Sequence, residues 1–289
     1  MIFVVMILTS GSIPCSFNST FSSVQIGNNR SDTLSPSRNA VIDTIRLKDK
    51  RLQTAYLKLG TRHFIILSQD PQKNKVLSSS FWIRDTKIIT HNGEKVFETT
   101  QHWYGNDSTD YRMIKSLNRV TDFAPIFFSE TTHNRVKAYD WFSGKIKGSD
   151  TVTNNTKADF SLTFDEPNFN WNLDIETFEM LPLAQGRVFA INFYDAGLDP
   201  PELIYKVTGS EPINTYNGNS IDCWKLSTEG LHDGNIYSET FWISKKYHEF
   251  LREEDFFNGM YRYKIALPAS TFNVLKRFHN YQLSGSNEN

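Results

Sequence analysis

Apolar and polar residues alternate in short runs along most of the chain, and a period of two is typical of β-strands with one buried face. The clearest run spans 261–267. Its apolar positions are Tyr261, Tyr263, Ile265 and Leu267, and Arg262 and Lys264 lie between them. This run predicts a strand whose apolar side chains face inward and whose Arg262 and Lys264 face outward. Similar runs occur at 64–67, 81–89, 96–104, 136–142, 188–193, 203–207 and 221–226.

Asn-Gly and Asp-Gly dipeptides separate several of these runs, and such dipeptides favour the positive φ angles of tight hairpin turns. They are Asn92-Gly93, Asn217-Gly218, Asp233-Gly234 and Asn258-Gly259. With a further turn at 245–248, they predict consecutive antiparallel strands from 213 to 267. About ten or more strands with short turns predict an all-β fold. We expect a curled antiparallel sheet, as a half-barrel or open barrel, built of hairpins and a meander.

The segment 169–181 fits two structures. Its apolar residues alternate with polar ones as in a strand, whereas Trp171, Ile175 and Phe178 also have helical spacing. Pro167 suits the start of a helix and Pro182 suits its end, so a helix is the favoured prediction. Such a helix would cover the concave side of the sheet.

The inner face of the sheet is predicted to be apolar and to carry no catalytic group. Its candidate residues for binding an apolar ligand are Phe189, Ile191, Phe193, Phe241, Ile243, Tyr261 and Tyr263. Glu239 interrupts this pattern between Tyr237 and Phe241. Core packing is the default explanation for such aromatic residues, and a ligand cavity is the alternative.

The N-terminal residues resemble an export signal, because 2–8 form a short apolar run followed by small residues. No Lys or Arg precedes this run. The sequence predicts a signal segment at 1–15 with Cys15 as a candidate lipid anchor, and a flexible tether at 16–45. A single β domain at 46–267 and a C-terminal tail at 268–289 complete the predicted organisation. Cys223 is predicted to be a small buried apolar residue without a disulfide partner.

Composition and motifs argue against several classes of function. The 289 residues include 31 basic and 32 acidic ones, and a net charge of −1 gives no indication of a nucleic-acid partner. Walker-type, Gly-x-Gly-x-x-Gly, Gly-x-Ser-x-Gly, His-Glu-x-x-His and Cys-x-x-Cys patterns do not occur. Glu253 and Asp255 would share one face of a strand, and a solvated outer face is their expected environment. No metal, cofactor or catalytic residue is predicted.

Several segments resemble, in order, those of the exported family known as domain of unknown function 3108. They are FAPIFFSE, VKAYDWFSGKIKGSDTV, MLPLAQGRVFAINFY, DCWKLS and TFWISKKYHEFLREEDFFNGMYRYKIAL. The resemblance implies an exported all-β protein similar in shape to the half-barrels of bacterial lipoprotein carriers of the LolA and LolB type. Those carriers hold acyl chains in an apolar concavity. The family has no assigned catalytic residues, so none is carried over.

These features predict a non-enzymatic exported protein, periplasmic or associated with the outer membrane, that binds a lipid or another apolar ligand. Two alternatives remain open. One is a cell-envelope hydrolase, and the other is a structural or assembly partner of another envelope protein. An aromatic and aliphatic pocket would favour binding, whereas converging histidines and carboxylates would favour catalysis.

Overall fold

The computed structural model describes residues 42–105, 110–133, 135–195, 202–215, 218–232 and 234–269. In this part of the chain the dominant element is the β-strand. The strands are β1 Ile42–Ile45, β2 Gly60–Gln69, β3 Val76–His91, β4 Glu94–Tyr104, β5 Arg112–Arg119, β6 Pro125–Thr132, β7 Arg135–Phe142, β8 Lys145–Gly148, β9 Ser161–Thr163, β10 Phe169–Asn170, β11 Val188–Tyr194, β12 Glu202–Asn214, β13 Ser220–His232, β14 Asn235–Ser244, β15 Phe250–Phe257 and β16 Met260–Ala266. The helix α1 spans Asp174–Glu179, and short 3-10 turns span Leu47–Asp49, Thr54–Tyr56 and Trp171–Leu173.

One large sheet contains these strands in the order β1-β11-β12-β13-β14-β15-β16-β2-β3-β4-β5-β6-β7-β8-β9, and β10 pairs with β11 outside this path. The sheet curls but stays open, which confirms the predicted fold class. β1 and β10 each pair with β11 in parallel, so the sheet is mixed at this end and antiparallel elsewhere. The pairing of β16 with β2 joins the C-terminal meander to the N-terminal hairpins.

The meander follows the predicted turns. β14 pairs with β15, and β15 pairs with β16, all antiparallel. Asn258 and Gly259 have φ angles of 48° and 77°, and Asn92 and Gly93 have φ angles of 49° and 83°. Both dipeptides thus adopt the left-handed backbone that a two-residue hairpin turn requires. Asn217 and Asp233 lie outside the described residues.

The predicted covering helix is present but shorter than 169–181. Phe169–Asn170 pairs with β11 as a strand, so the strand pattern and the helix pattern each describe one part of the segment. The Asn170 side chain accepts a hydrogen bond from the backbone N–H of Asn172, which starts the helical part. The ring of Phe178 on α1 lies 4.7 Å from those of Tyr205 and Phe241, centroid to centroid. The helix therefore fills part of the concavity as solid core.

The predicted direction of side chains on β16 is wrong. Lys264 is 4% exposed and Ile265 is 37% exposed, so the charged face points inward and the Tyr261–Tyr263–Ile265 face points outward. On the neighbouring strand Glu253 and Asp255 are also buried, which contradicts the expected solvated face. Alternation shows that a strand has two faces but not which face is inside. Here charges from two adjacent strands pair with each other, which makes their burial possible.

Several predictions concern the ends of the chain. The signal segment, Cys15 and most of the tether lie outside the described residues, as does almost all of the tail. Strand β1 begins at Ile42, so the last residues assigned to the tether belong to the sheet.

Cys223 is buried, and burial raises the pKa of its thiol to about 12, in agreement with an inert apolar role. Within the described ranges, no helix has both the length and the apolar character needed to cross a membrane.

Candidate functional site: a tryptophan-lined cavity

The centre of the concave side contains a cluster of buried charged residues, here called the charge cluster. Its cations come from strands β2, β3 and β16, and its carboxyl groups come from α1, β14 and β15. The members are Arg62, Arg84, Arg262, Lys264, Asp174, Glu176, Glu179, Glu239, Glu253 and Asp255. Strands β14, β15, β16, β2 and β3 are consecutive neighbours in the sheet because β16 pairs with β2, and spacing along the sequence does not reveal this pairing.

Ion pairs connect the two sides of the charge cluster. Arg84 Nη2 lies 3.0 Å from Glu176 Oε2, across the gap between β3 and α1. Between β15 and β16, the cross-strand register places Glu253 opposite Lys264 and Asp255 opposite Arg262. Lys264 Nζ pairs with Glu253, and Arg262 Nε donates to Asp255 Oδ2 at 2.6 Å. The charges are therefore held by several elements at once.

Arg62 on β2 forms ion pairs that hold the other end of α1. Arg62 Nη1 lies 2.5 Å from Glu179 Oε1, and Arg62 Nη2 lies 3.1 Å from Glu176 Oε1. Glu179 also accepts a hydrogen bond from the backbone N–H of Phe250 at 2.8 Å. His248 bonds the Glu179 carbonyl through Nδ1, at 3.1 Å. These contacts attach the helix to β2 and to the start of β15.

The charge cluster has more carboxyl groups than cations. Its four cationic and six carboxyl groups would leave an excess of two negative charges if all were ionised. Burial, followed by the charges of Asp255 and Glu253, raises the pKa of Glu239 well above its usual value. Burial likewise raises the pKa of Asp255 well above its usual value, with Arg262 opposing and Glu253 adding to the shift. Protons on Glu239 and Asp255 would balance the excess charge.

Glu253 behaves in the opposite way. Burial alone would raise the pKa of its carboxyl, but the charges of Lys264 and Arg262 outweigh burial and lower that pKa below its usual value. The charge cluster therefore lowers the pKa of Glu253 while it raises the pKa values of Glu239 and Asp255 beside it. Environments that separate the pKa values of nearby carboxyls are common in functional sites, and they also occur in structural networks.

A cavity of about 110 Å³ adjoins the charge cluster, here called the tryptophan cavity. It is lined by Trp82, Gln101, Trp103, Arg112, Trp171, Asn172, Asp174, Asp195, Glu239, Phe241, Glu253, Arg262 and Lys264. Asn172 accepts hydrogen bonds at its carbonyl from Gln101 and Arg84, at 2.7 and 2.5 Å, which attach the 3-10 turn to the sheet. Burial and then the nearby Glu130 raise the pKa of Asp195 to about 6.

Cations cover the faces of the tryptophan rings. Trp82 and Trp103 stack with centroids 4.2 Å apart. Arg112 lies 4.7 Å from the Trp103 ring, and Arg84 and Lys264 lie 4.4 and 4.9 Å from the Trp82 ring. Such cation–π contacts hold the cations in place away from water. Because the ring faces are occupied, a ligand would meet the edges of the rings.

Three buried polar atoms of the lining residues have no hydrogen-bond partner among the described residues. They are Trp82 Nε1, Trp103 Nε1 and Glu239 Oε1. A buried polar group without a partner costs about 1–3 kcal/mol. Such groups are rare in native proteins, and several of them around one cavity indicate a place where water or a ligand binds. The described ranges contain no group of three or more His, Cys, Asp or Glu side chains arranged to hold a metal ion.

The predicted apolar site residues fall in two places. Phe189, Ile191, Phe193, Phe241 and Ile243 are buried in the main core, and Phe241 also lines the tryptophan cavity. Tyr261 and Tyr263 lie on the outer face, where Lys73 Nζ is 3.9 Å from the Tyr261 ring. A ligand-binding role for these residues stays a prediction, as does the lipid anchor at Cys15.

Sequence reasoning missed the polar members of the site. One signal was available in Glu239, a carboxylate on an otherwise apolar strand face. Another was the Asn258-Gly259 turn, because counting outward from a two-residue turn places Glu253 opposite Lys264. Opposite charges at facing positions indicate a pair that can be buried.

Comparison with known proteins identifies a family. A family model described as a protein of unknown function, DUF3108, matches residues 75–266. No curated protein matches the sequence.

Three solved structures are similar at low identity. A β-barrel-like protein of the domain of unknown function DUF1849 from Brucella abortus is 9% identical, with 72% of this chain and 97% of that chain covered and a TM-score of 0.43. A DUF1329 family protein from Desulfovibrio piger is 10% identical, with 81% and 97% covered and a TM-score of 0.31. The Mycobacterium tuberculosis lipoprotein LppX is 12% identical, with 79% and 96% covered and a TM-score of 0.26. Because the family model matches more than half of the sequence, this chain belongs to the DUF3108 family of proteins of unknown function.

Proposed function

We propose that this protein is a non-enzymatic binding protein whose tryptophan cavity holds a small hydroxyl-bearing molecule, or the hydroxyl-bearing end of a larger one. The observation that carries the proposal is the set of unpaired buried atoms, Trp82 Nε1, Trp103 Nε1 and Glu239 Oε1, on residues that line one cavity.

A hydroxyl group matches this lining because it both donates and accepts hydrogen bonds. The indole N–H groups of Trp82 and Trp103 need an acceptor, and Glu239 Oε1 needs a partner. A molecule with several hydroxyl groups can satisfy all three, whereas an acyl chain can satisfy none. The polar chemistry of the lining thus favours a polyol over the apolar ligand predicted from the sequence.

The size of the cavity supports a small ligand. An apolar cavity of about 150 Å³ can hold a benzene molecule. The tryptophan cavity, at about 110 Å³, therefore encloses roughly six non-hydrogen atoms or fewer. A longer molecule such as erythritol would enter it by one hydroxyl-bearing end. The apolar part of the concave side is filled by α1 and Phe178, so a ligand on that side would occupy this cavity.

Titration with erythritol tests the proposal, with 1-butanol as an apolar control of similar length. We expect saturable binding of erythritol and about tenfold weaker binding in Trp82→Phe or Trp103→Phe, since each variant keeps the ring and loses one hydrogen bond. Trp141→Phe is the matched control, because its indole N–H is also buried and unpaired within the described residues but lies outside this cavity. Equal binding of both alcohols, or equal effects of all three variants, would contradict the proposal.

Export is part of the proposal. It is supported by the apolar run 2–8 and the small residues that follow, and the destination would be the periplasm or the outer membrane. The intact mass of the protein purified from its native cells checks it, with loss of the N-terminal residues as the expected result. If Cys15 carries the anchor, Cys15→Ser releases the protein from membranes. A full-length protein starting at Met1 in the cytosol would contradict export.

A second candidate function is a hydrolase that acts in the cell envelope. The observation that favours it is the presence of Glu239, with a raised pKa, and Glu253, with a lowered pKa, in the lining of the same cavity. Such a pair can divide acid and base roles. Turnover of 4-nitrophenyl glycosides that disappears in both Glu239→Gln and Glu253→Gln, while erythritol binding survives in Glu239→Gln, would favour the hydrolase over the binding protein.

A further inference from the structure

A second concavity lies on the side of the sheet, away from the charge cluster. Its walls are the 3-10 turn that precedes Lys50, the turn between β5 and β6, and the turn between β7 and β8. Its volume is about 520 Å³, nearly five times that of the tryptophan cavity. We call it the lateral groove.

The floor and one wall of the lateral groove are apolar. Leu47, Ala124 and Trp141 are buried beneath it, and Ile126 is half-buried along it. Phe142 is 52% exposed at its edge, which is unusual for a phenylalanine. An exposed phenylalanine continuous with an apolar floor is typical of a surface that contacts an apolar partner.

The rim of the lateral groove carries an excess of positive charge. Arg119 pairs with Asp122, with Nη2 to Oδ2 at 2.7 Å, and Lys48 pairs with Glu166 at 3.0 Å. Glu166 is shared with Arg46, at 3.2 Å. Lys50 is exposed and has no ion-pair partner in the described part of the chain. Of the charged residues that line the groove, three are cations, Lys48, Lys50 and Arg119, and one is a carboxylate, Asp122, so an anion would be attracted to the Lys50 side.

One polar atom in the wall lacks a partner. Trp141 is 6% exposed, and its Nε1 is buried with no hydrogen-bond acceptor among the described residues. An indole N–H can only donate, so it requires an oxygen acceptor from outside these residues. An anionic head group supplies such an oxygen, whereas a purely apolar molecule does not.

We infer that the lateral groove binds a single-chain anionic amphiphile, a fatty-acid carboxylate, with its chain along Phe142 and Ile126 and its head group between Lys50 and Trp141. The site is distinct from the tryptophan cavity and does not depend on the proposed function. Charge complementarity selects the anion, and the apolar floor selects the chain.

Calorimetric titration of the full chain with monomeric octanoate, decanoate and dodecanoate tests this inference. Each added pair of methylene groups is expected to strengthen binding about tenfold if the chain is buried. Dodecyltrimethylammonium, which has the same chain and the opposite charge, is expected to bind at least tenfold more weakly. Similar affinity for both dodecyl compounds, or affinity that does not change with chain length, overturns the inference.

Variants locate the site. Lys50→Glu and Phe142→Ser are each expected to weaken dodecanoate binding at least tenfold. Lys95→Glu, an exposed charge reversal beside the β3–β4 turn, is the matched control and is expected to change nothing. Equal losses in Lys50→Glu and Lys95→Glu would show non-specific attraction and overturn the inference. A monomeric Phe142→Ser variant of a dimeric wild type would assign the groove to a second copy of the chain and also overturn it.

Two measurements separate this inference from the proposed function. Erythritol binding is expected to be unchanged in Lys50→Glu, and dodecanoate binding is expected to be unchanged in Trp82→Phe. Loss of dodecanoate binding in Trp82→Phe would place the amphiphile in the tryptophan cavity and contradict a separate lateral site.

Discussion

At the scale of single residues, the unusual feature is a buried carboxyl group whose pKa the fold raises. Burial and neighbouring carboxylates raise the pKa of Glu239 above the ordinary value of 4.5. The folded protein therefore binds this proton more tightly than the unfolded chain, and Glu239 makes the unfolding free energy fall as pH rises above 4.5. Glu239→Gln keeps the shape of the neutral group and removes its titration.

We expect Glu239→Gln to be more stable than the wild type at neutral and alkaline pH, by an amount that grows by up to about 1.4 kcal/mol per pH unit until the folded-state pKa is passed. Denaturant unfolding at a series of pH values measures this slope. Glu253→Gln is the contrasting variant, because it leaves Lys264 and Arg262 without their ionised partner, and a broken buried pair costs about 3–5 kcal/mol. Similar losses in both variants would contradict the assignment of the protons.

The residue scale also shows where sequence reasoning fails. The period of two on β16 correctly separated Tyr261 and Tyr263 from Arg262 and Lys264, but hydrophobicity assigned the two faces the wrong way round. The inside was decided by partners on other elements: Glu253 and Asp255 on β15, and the Trp82 ring on β3. A strand read alone contains no information about such partners.

At the scale of elements, α1 is a cover fixed by aromatic packing. Phe178 contacts the rings of Phe193, Tyr205 and Phe241 and is fully buried. Phe178→Ala is therefore expected to cost about 3–5 kcal/mol of unfolding free energy, and Phe193→Ala a similar amount. Phe142→Ala, on the exposed side, is expected to stay within about 0.5 kcal/mol. Urea unfolding of the three variants checks this, and a small loss for Phe178→Ala would show that α1 does not pack as solid core.

The hairpin between β15 and β16 depends on its turn. Gly259 has a φ angle of 77°, and a β-branched residue resists this conformation, so Gly259→Val is expected to cost about 1–2 kcal/mol. Gly209 is the control, because its φ is not positive and no atom lies within 4 Å of an added Cβ. Thermal unfolding of Gly259→Val and Gly209→Val compares the two. Equal losses would mean that side-chain bulk, not the backbone conformation, sets the cost.

Elements joined by short turns could be predicted well, because the Asn92-Gly93 and Asn258-Gly259 dipeptides fix both the turn and the register of the hairpins that they join. The strand followed by a helix in segment 169–181 could be predicted only in part. Phe169 and Asn170 extend beside β11, and Asn170 then caps the turn of Trp171–Leu173, so one segment satisfies both patterns in succession. The parallel pairing of β1 with β11 joins residues that are distant in sequence and has no local signal.

At the scale of the whole molecule, the concave side of the curled sheet contains two different regions. Near α1 it encloses a solid apolar core, and beside the charge cluster it leaves a polar cavity. The expected apolar concavity is thus divided, since aromatic residues from β11, β12 and β14 fill one part and paired charges from β3, β15 and β16 occupy the other. No stretch of sequence could predict this division, because it depends on the pairing of β16 with β2, two strands that are distant in sequence.

The central claim is that the unpaired indole groups of the tryptophan cavity bind a hydroxyl-bearing ligand. The most direct measurement is a titration of ¹⁵N-labelled protein with erythritol, following the indole N–H resonances of all six tryptophans by NMR. The account predicts saturable shifts for Trp82 and Trp103, little change for Trp141 and Trp242, and no such shifts with 1-butanol. Shifts of equal size at all tryptophans, or unchanged resonances of Trp82 and Trp103 up to molar erythritol, would contradict it.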